Sequence, residues 1–219
     1  SKMLKKLIFI VSEKIELPIY RDSDVRVVRA DITDGWTECA NTDTIIICDN
    51  SEWAGKLCGQ GYNVVALLTD ENSGQDFSFC KYAIMNASEC ELVFFEGVLM
   101  RFLGLPWDIL ETDRCMVRET TVEDVDAFYE LYKDKEITEY MEPLFEDRDE
   151  EIEYTKSYIK NVYEFYGFGM WTVVEKNLGK VIGRAGVSYR EGFALPELGF
   201  MIGKEFWRQG YAYEVCSAI

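Results

Sequence analysis

The sequence predicts an α/β protein of two domains, a parallel-sheet domain over residues 1–112 and a mixed α+β domain over residues 113–219. The length of 219 residues suits two domains of about 100 residues each. Short β-branched runs alternate with helical patterns through the first half, which is typical of a parallel sheet. Near residue 112 the order changes to one strand, two helices and three further strands, which indicates a second domain.

The first half predicts a Rossmann-like sheet. Residues 44–48 are apolar throughout, as expected of a strand buried on both faces of a parallel sheet. The polar residues at 49–51 can cap the N-terminus of a helix, and Gly59 marks the end of that helix. The predicted elements are strands at 7–11, 25–28, 44–48, 64–68 and 82–85, and helices at 51–59 and 88–102.

The second half begins with a predicted strand at 115–119. Thr121 and Asp124 form a capping box ahead of a helix at 122–132, and a second helix follows at 149–166. The remaining predicted elements are strands at 170–175, 181–189 and 197–202, then a glycine-containing loop and a helix that starts at about residue 210.

The composition excludes several classes of function. Forty acidic residues against 23 basic ones leave a net charge of −17. This charge repels phosphate backbones and anionic membranes, so we expect neither nucleic acid nor a membrane as partner. The chain has no histidine, which excludes Ser/His/Asp and Cys/His nucleophiles. Proton transfer must therefore use a carboxylate, tyrosine, cysteine, lysine or water.

The seven cysteines include no CxxC pair. Their spacing predicts reduced thiols in a cytoplasmic protein without a structural zinc site. The opening apolar run is short and lacks a small-residue cleavage site, so we expect no signal peptide. No apolar run approaches the roughly 20 residues that span a bilayer.

The segment before the last helix is a candidate phosphate site. A helix N-terminus presents unpaired N–H groups and a partial positive charge, so the backbone at 208–212 suits a pyrophosphate. Gly210 lacks the Cβ that would prevent close approach, and Arg208 adds a mobile positive charge. Alternatively, Gly210 only eases the turn from strand to helix.

Three segments of the second half follow a known pattern. The clearest runs over 197–214 and contains Trp-Arg-Gln-Gly-Tyr-Ala at 207–212, and the others are residues 114–119 and Gly-Arg-Ala-Gly at 183–186. Together they resemble the GNAT superfamily of N-acetyltransferases, in particular its RimJ/RimL-type branch, to whose first and third strands 114–119 and 183–186 are similar. The first motif position, usually Gln or Arg, is Trp207, and the sequence stops inside the next helix. The resemblance thus leads us to expect a C-terminally incomplete GNAT-like domain.

The resemblance implies that acetyl-CoA is the co-substrate, with no metal, and that an amine attacks its thioester directly. The pyrophosphate would lie at 207–212 and the pantetheine arm along the strand edge at 200–202. The implied cofactor-binding residues are Phe200, Met201, Ile202, Trp207, Arg208, Gln209, Gly210, Tyr211 and Ala212.

Glu197 is the candidate catalytic base, because the chain lacks histidine and Glu197 opens the strand that leads to the loop. The period of two puts it on the face opposite Leu198. A partly desolvated carboxylate there would take the proton of the amine, directly or through a water, while a backbone N–H at 200–201 polarises the thioester. Alternatively, Glu197 pairs with Arg184 or Arg190 on the neighbouring strand.

The acceptor is expected to be a small-molecule or peptide amine, and the oligomeric state stays open. An acidic run borders the side of the cleft that the resemblance gives to the acceptor, and it would attract a cationic amine. It also suits a solvated helix start. The run comprises Glu142, Glu146, Asp147, Asp149, Glu150, Glu151 and Glu153. Tyr189 is a weaker candidate, for protonating the departing thiolate.

Residues 45–50, the helix after them and the strand at 64–68 resemble the rear half of a haloacid dehalogenase-like (HAD) domain. That family has a nucleophilic Asp at the end of its first strand, where this chain has Ile-Val-Ser-Glu-Lys at 10–14. We therefore expect a non-catalytic accessory domain. Asp49 and Asp70 suit loop caps better than a cation site. The chain as a whole is expected to be an N-acetyltransferase; the alternative is a non-enzymatic binding or regulatory module.

Overall fold

The computed structural model describes residues 3–31, 41–189 and 192–219. The chain forms two compact units, Ser1–Leu105 and Pro106–Ile219. The division precedes the boundary predicted at residue 112, because an unpredicted strand, Asp108–Glu111, pairs antiparallel with Cys115–Arg118. This strand therefore belongs to the C-terminal unit.

The N-terminal unit contains a parallel sheet with the strand order β2-β1-β3-β4-β5. The strands are β1 (Lys6–Ile10), β2 (Arg26–Arg29), β3 (Thr44–Cys48), β4 (Val64–Leu67) and β5 (Ala83–Ile84). The helices are α1 (Ser51–Gly59) and α2 (Leu92–Phe102). The predicted parallel sheet is present. The helix predicted from residue 88 starts later, because Cys90 first bonds back to Ala87 in a turn.

The core of this unit has two parts, because successive side chains of β1 and β3 pack against different helices. Leu7 and Phe9 belong to a buried cluster with Phe95 of α2, whereas Ile8 belongs to another with Leu57 of α1. Successive strand side chains point to opposite faces, so the two helices cover opposite faces of the sheet. Burial on both faces explains why these strands are continuous apolar runs.

The C-terminal unit contains an antiparallel sheet with the strand order β10-β9-β8-β7-β6. Its strands are β6 (Asp108–Glu111), β7 (Cys115–Arg118), β8 (Met170–Glu175), β9 (Lys180–Tyr189) and β10 (Pro196–Ile202). Its helices are α3 (Val125–Tyr132), α4 (Lys135–Thr138), α5 (Arg148–Tyr158), α6 (Glu164–Tyr166) and α7 (Tyr211–Ala218). The two predicted long helices are each divided, by a 3-10 turn at Val122–Asp124 and a π-turn at Ile159–Tyr163.

Neighbouring residues of β10 serve different faces of this sheet. Met201 belongs to a buried cluster with Phe128 of α3 and Ile137 of α4. Ile202 belongs to a second cluster with Tyr211 and other residues of α7. The end of β10 therefore lies between the helices that precede it in the chain and the helix that follows it.

A buried ion pair ties β7 to the start of α3. Both carboxylate oxygens of Asp124 accept hydrogen bonds from the Arg118 guanidinium, at 2.8 and 2.7 Å, and the Asp124 side chain is only 5% exposed. Asp124 also accepts from the Thr121 N–H and the Thr172 hydroxyl. Burial alone would raise the pKa of Asp124, but Arg118 and these donors hold it below its usual value. The capping box is thus part of a larger polar cluster.

Replacing Asp124 by Asn is expected to lower the free energy of unfolding by roughly 3 kcal/mol, because the partly buried Arg118 loses its counter-charge. Urea unfolding followed by circular dichroism measures the loss. Asp126→Asn is the matched control, since Asp126 forms an exposed pair with Arg148 and exposed pairs contribute little. Equal losses in the two variants would contradict the stabilising role of the Asp124 cluster.

Candidate active site

The free edge of β10 presents backbone hydrogen-bonding groups. The Gly203 N–H donates to the Ile182 carbonyl on the β9 side, at 2.8 Å. The edges of an antiparallel strand alternate residue by residue, so the N–H and C=O of Phe200 point to the other edge. Among the described residues, no strand pairs with that edge. The edge can therefore bind an extended ligand as an added strand.

The turn after β10 holds two residues in the left-handed conformation. The Trp207 indole donates to the Ile202 carbonyl at 2.6 Å, which folds the turn back on the strand. Arg208 has a φ of +61°, and Gly210, the N-cap of α7, has a φ of +83°. A Cβ at residue 210 would meet only Arg114, at an ordinary 3.5 Å. Within the protein, glycine is therefore required by the backbone conformation, not by crowding.

A cavity of about 630 Å³ lies beside this edge and turn. It is lined by eight of the nine predicted cofactor residues: Phe200, Met201, Ile202, Trp207, Arg208, Gly210, Tyr211 and Ala212. The side chain of Gln209 instead donates to the Glu205 carbonyl, at 3.1 Å. The sequence did not predict the part of the wall that includes Ile137 of α4, a helix of four residues that is too short to show a period.

Glu197 lies outside this cavity. Residues 196–198 are exposed, Glu197 among them. The prediction that Glu197 lies in a partly desolvated environment is therefore wrong. The register places Glu197 opposite Ser188, whereas Arg184 lies opposite Met201. Arg184 is therefore not the direct cross-strand neighbour of Glu197, and Arg190 lies outside the described residues.

The other residues singled out in this unit have varied surroundings. Tyr189 is half exposed and packs against two aromatic rings, at centroid distances of 6.3 and 5.6 Å.

In the acidic run, Asp147 caps α5 by accepting from the Asp149 N–H, and buried Glu151 accepts from the Phe145 N–H. Part of the run therefore serves the start of α5.

A polar cluster that the sequence did not predict joins the start of β7 to the start of α7. The Glu214 carboxylate accepts from the Thr112 hydroxyl (2.5 Å), the Arg114 backbone N–H (3.0 Å) and the Arg114 Nε (2.8 Å). The Arg114 guanidinium also lies 4.0 Å from the centroid of the Tyr211 ring. The cluster places the Arg114 guanidinium, paired with Glu214, at the N-terminal end of α7. Local periodicity carries no signal for it, because its members are 100 positions apart.

Glu214→Gln is expected to destabilise the fold at neutral pH. The Thr112 hydroxyl, and after it Arg114, lower the pKa of Glu214 despite its partial burial. Because the folded pKa is depressed, the stabilisation is complete above the ordinary glutamate pKa of about 4.3 and is lost as the pH falls through the folded value.

Melting temperatures measured over a pH series test this expectation. The difference between wild type and Glu214→Gln should be largest near neutral pH and narrow below about pH 4. Glu205→Gln is the control, because Glu205 forms an exposed pair with Lys180 and should affect the melting temperature little. A difference that stays constant with pH would argue against a charged role for Glu214.

The two aspartates at strand ends of the N-terminal unit take part in loop structure. The Asp49 carboxylate accepts from the Ser12 N–H at 2.8 Å, and Asp70 begins a 3-10 turn. Within the described ranges, no group of three or more His, Cys, Asp or Glu side chains is arranged to hold a metal ion. The described helices include none with the length and apolar character needed to cross a bilayer.

Comparison with known proteins concerns the C-terminal unit. Residues 114–219 match the family model of the acetyltransferase (GNAT) domain. A curated relative, the uncharacterized N-acetyltransferase YoaA of Bacillus subtilis (strain 168), is 29% identical over 114 residues. The match covers 51% of this chain and 63% of YoaA, so the chain spans less than two thirds of that relative.

Solved structures of acetyltransferases are also similar to about half of the chain. The acetyltransferase (GNAT family) from Bacillus anthracis is 20% identical, with 50% of this chain and 61% of that chain covered and a TM-score of 0.40. The acetyltransferase from Agrobacterium tumefaciens str. C58 is 21% identical, with 50% and 62% covered and a TM-score of 0.40. The family match spans β7 to α7, the elements around the cavity. Residues 114–219 are therefore similar to the acetyltransferase (GNAT) domain.

Proposed function

We propose that the protein is an N-acetyltransferase that transfers the acetyl group of acetyl-CoA to an amine. One observation carries the proposal: within a GNAT domain, the free edge of β10 and the left-handed turn at Arg208 and Gly210 line one cavity. Acetyl-CoA needs both features. A strand edge binds the amides of its pantetheine arm, and a helix N-terminus binds its phosphates.

In this proposal the cofactor lies along the wall formed by β10 and α7. Backbone N–H groups at 208–212 bind the pyrophosphate, and the charge of Arg208 assists them. The pantetheine amides bond to the edge of β10. The N–H of Phe200, on that edge, donates to the thioester carbonyl as negative charge develops on its oxygen. The proposed binding set is Phe200, Met201, Ile202, Trp207, Arg208, Gly210, Tyr211 and Ala212, with Gln209 through its backbone.

The proposed general base is Glu197. The neutral amine attacks the thioester carbon; a C–N bond forms, the C–S bond breaks, and the amine loses a proton. Glu197 lies three positions before Phe200, or roughly 10 Å along an extended strand, so the proton passes through a water. Tyr189 is the weaker candidate for protonating the CoA thiolate.

The acceptor in this proposal is a small-molecule or peptide amine, attracted by the exposed part of the acidic run. We further propose that the N-terminal unit is a HAD-like accessory domain without a catalytic role, because residues 10–14 contain no aspartate. The six described cysteines form no disulfide, which supports a cytoplasmic location.

Release of CoA thiol from acetyl-CoA tests the proposed activity. A panel of polyamines, amino acids and peptides with free N-termini is offered as acceptors, and thiol release that depends on the acceptor is the expected result. Binding of acetyl-CoA in calorimetry without turnover of any amine would favour a non-enzymatic binding module. Absence of both binding and turnover overturns the proposal.

Arg208→Gly tests the placement of the phosphates, because it removes a charge at a position whose left-handed backbone suits glycine. We expect the affinity for acetyl-CoA to fall about 10-fold, the size of a charge-assisted hydrogen bond, without a loss of melting temperature. Calorimetry and thermal unfolding measure the two quantities. Gly210→Val, by contrast, strains the turn, so it should lower both the affinity for acetyl-CoA and the melting temperature. Unchanged affinity in both variants would place the phosphates elsewhere.

Glu197→Gln is expected to lower kcat by about 10²-fold and to leave acetyl-CoA affinity nearly unchanged, as for removal of a general base. Steady-state kinetics between about pH 6 and 9 give kcat, and calorimetry gives the affinity. Glu130→Gln is the control, since Glu130 is exposed, pairs with Lys133 and lies outside the acidic run. Full kcat in Glu197→Gln across this range would assign the proton transfer to another group.

A further inference from the structure

Arg184 has a buried hydrogen-bond donor that the described residues leave without a partner. It lies on β9 and is partly buried, and its Nε is inaccessible to solvent and has no hydrogen-bond partner among the described residues. The guanidinium carbon stands 4.7 Å from the centroid of the Phe128 ring. A buried donor without an acceptor costs free energy, so the group needs a physical explanation.

The other described arginines of this unit show what is unusual about Arg184. Arg114, Arg118 and Arg148 pair with carboxylates at 2.8, 2.7 and 2.6 Å. Arg208 has no carboxylate partner among the described residues, and it lines the cavity proposed for acetyl-CoA. Forty acidic residues compete for 23 basic ones in this chain. An arginine that none of the described carboxylates pairs with is therefore available for an anionic ligand.

The register puts Arg184 and Glu197 on one face of the sheet. Arg184 lies opposite Met201, and directly opposed residues share a face. Glu197 is four positions from Met201 on β10, so it lies on the same face, about 13 Å along the strand. Between them stands Gly199, where a Cβ would meet only the end of the Met170 side chain, at 3.6 Å. At Gly199, therefore, only a flexible side chain lies within 4 Å of the position that a Cβ would take.

The charge of Arg184 also acts on a tyrosine hydroxyl beside this face. The Tyr158 hydroxyl accepts from the Met170 N–H at 2.8 Å, which fixes it in the row of Met170 and Gly199. Burial raises the pKa of Tyr158, and the Met170 N–H and the charge of Arg184 act in the opposite direction.

We propose that Arg184 binds a carboxylate of the acceptor, so that the preferred acceptor is an amine that also carries a carboxylate, such as a free amino acid. The inference rests on the proposed function and adds the substrate class. A guanidinium fork matches the two oxygens of a carboxylate, and water carries the proton of the amine to Glu197 further along the same face. Arg184 is in this proposal the specificity-determining residue, because it is the positive charge on the face that bears Glu197.

Wild-type kinetics test the proposal without a variant. Each of several amino acids is compared with the amine that has the same side chain but no carboxylate, and with O-phosphoethanolamine. We expect kcat/KM at least about 10-fold higher for the amino acids. Equal turnover of the carboxylate-free amines overturns the inference and leaves the acetyltransferase function intact. A preference for O-phosphoethanolamine overturns the carboxylate assignment, and turnover of no amine overturns both proposals.

The Arg184→Met variant tests whether Arg184 causes the preference for amines that carry a carboxylate. Methionine keeps an apolar side chain against Phe128 and removes the charge. The KM for amino acids should rise about 10-fold, while the KM for acetyl-CoA and the turnover of carboxylate-free amines stay unchanged. Arg148→Met, at an exposed ion pair, is the control. Arg184→Lys, which keeps the charge but not the fork, should give an intermediate KM if the Met variant does not fold. A higher KM for acetyl-CoA alone would assign Arg184 to the cofactor and overturn the proposal.

Discussion

The geometry of the cleft depends on the carboxylate of Glu214. It joins Thr112 and Arg114, at the start of the sheet, to the first turn of α7, 100 positions later. The contacts that position the first turns of α7 are this ion pair and the buried side chains of Tyr211 and Val215. The direction of its N-terminus, and with it the left-handed turn after β10, follows from these contacts.

β10 separates the two substrates of the proposed reaction. One edge is bonded to β9 and the other, among the described residues, is unpaired. Ile202 faces α7, and Met201 faces α3 and α4. A cofactor bound to the open edge near Phe200 would therefore present its thioester at the border of the face that bears Glu197 and Arg184. The amine would approach from that face without displacing the cofactor, which suits direct transfer between two bound substrates.

Features set by local sequence could be predicted, and features set by long-range contact could not. The apolar run Thr44–Cys48 and the helix Ser51–Gly59 have the predicted bounds, because burial on both faces and a capped start leave a local pattern. The wall at 200–212 could be found because a turn with Gly210 has a sequence signature. The Arg114–Glu214 pair has no such sequence signature. The exposure of Glu197 could not be predicted either, because it depends on which helices cover the sheet. The four-residue elements Asp108–Glu111 and Lys135–Thr138 are too short to show a period.

The polar groups at the strand ends of the N-terminal unit bond to one another, at the edge where open parallel sheets usually bind ligands. Asp49 accepts from the Ser12 N–H after β1, and the Ser51 N–H at the start of α1 donates to the Gln75 side chain. The Asn72 amide donates to the Asp49 and Leu67 carbonyls, at 2.7 and 2.8 Å. A catalytic aspartate needs a carboxylate turned toward substrate, and a phosphate site needs open N–H groups. Here the Asp49 carboxylate and the Ser51 N–H are used within the loops, which supports the accessory role proposed for this unit.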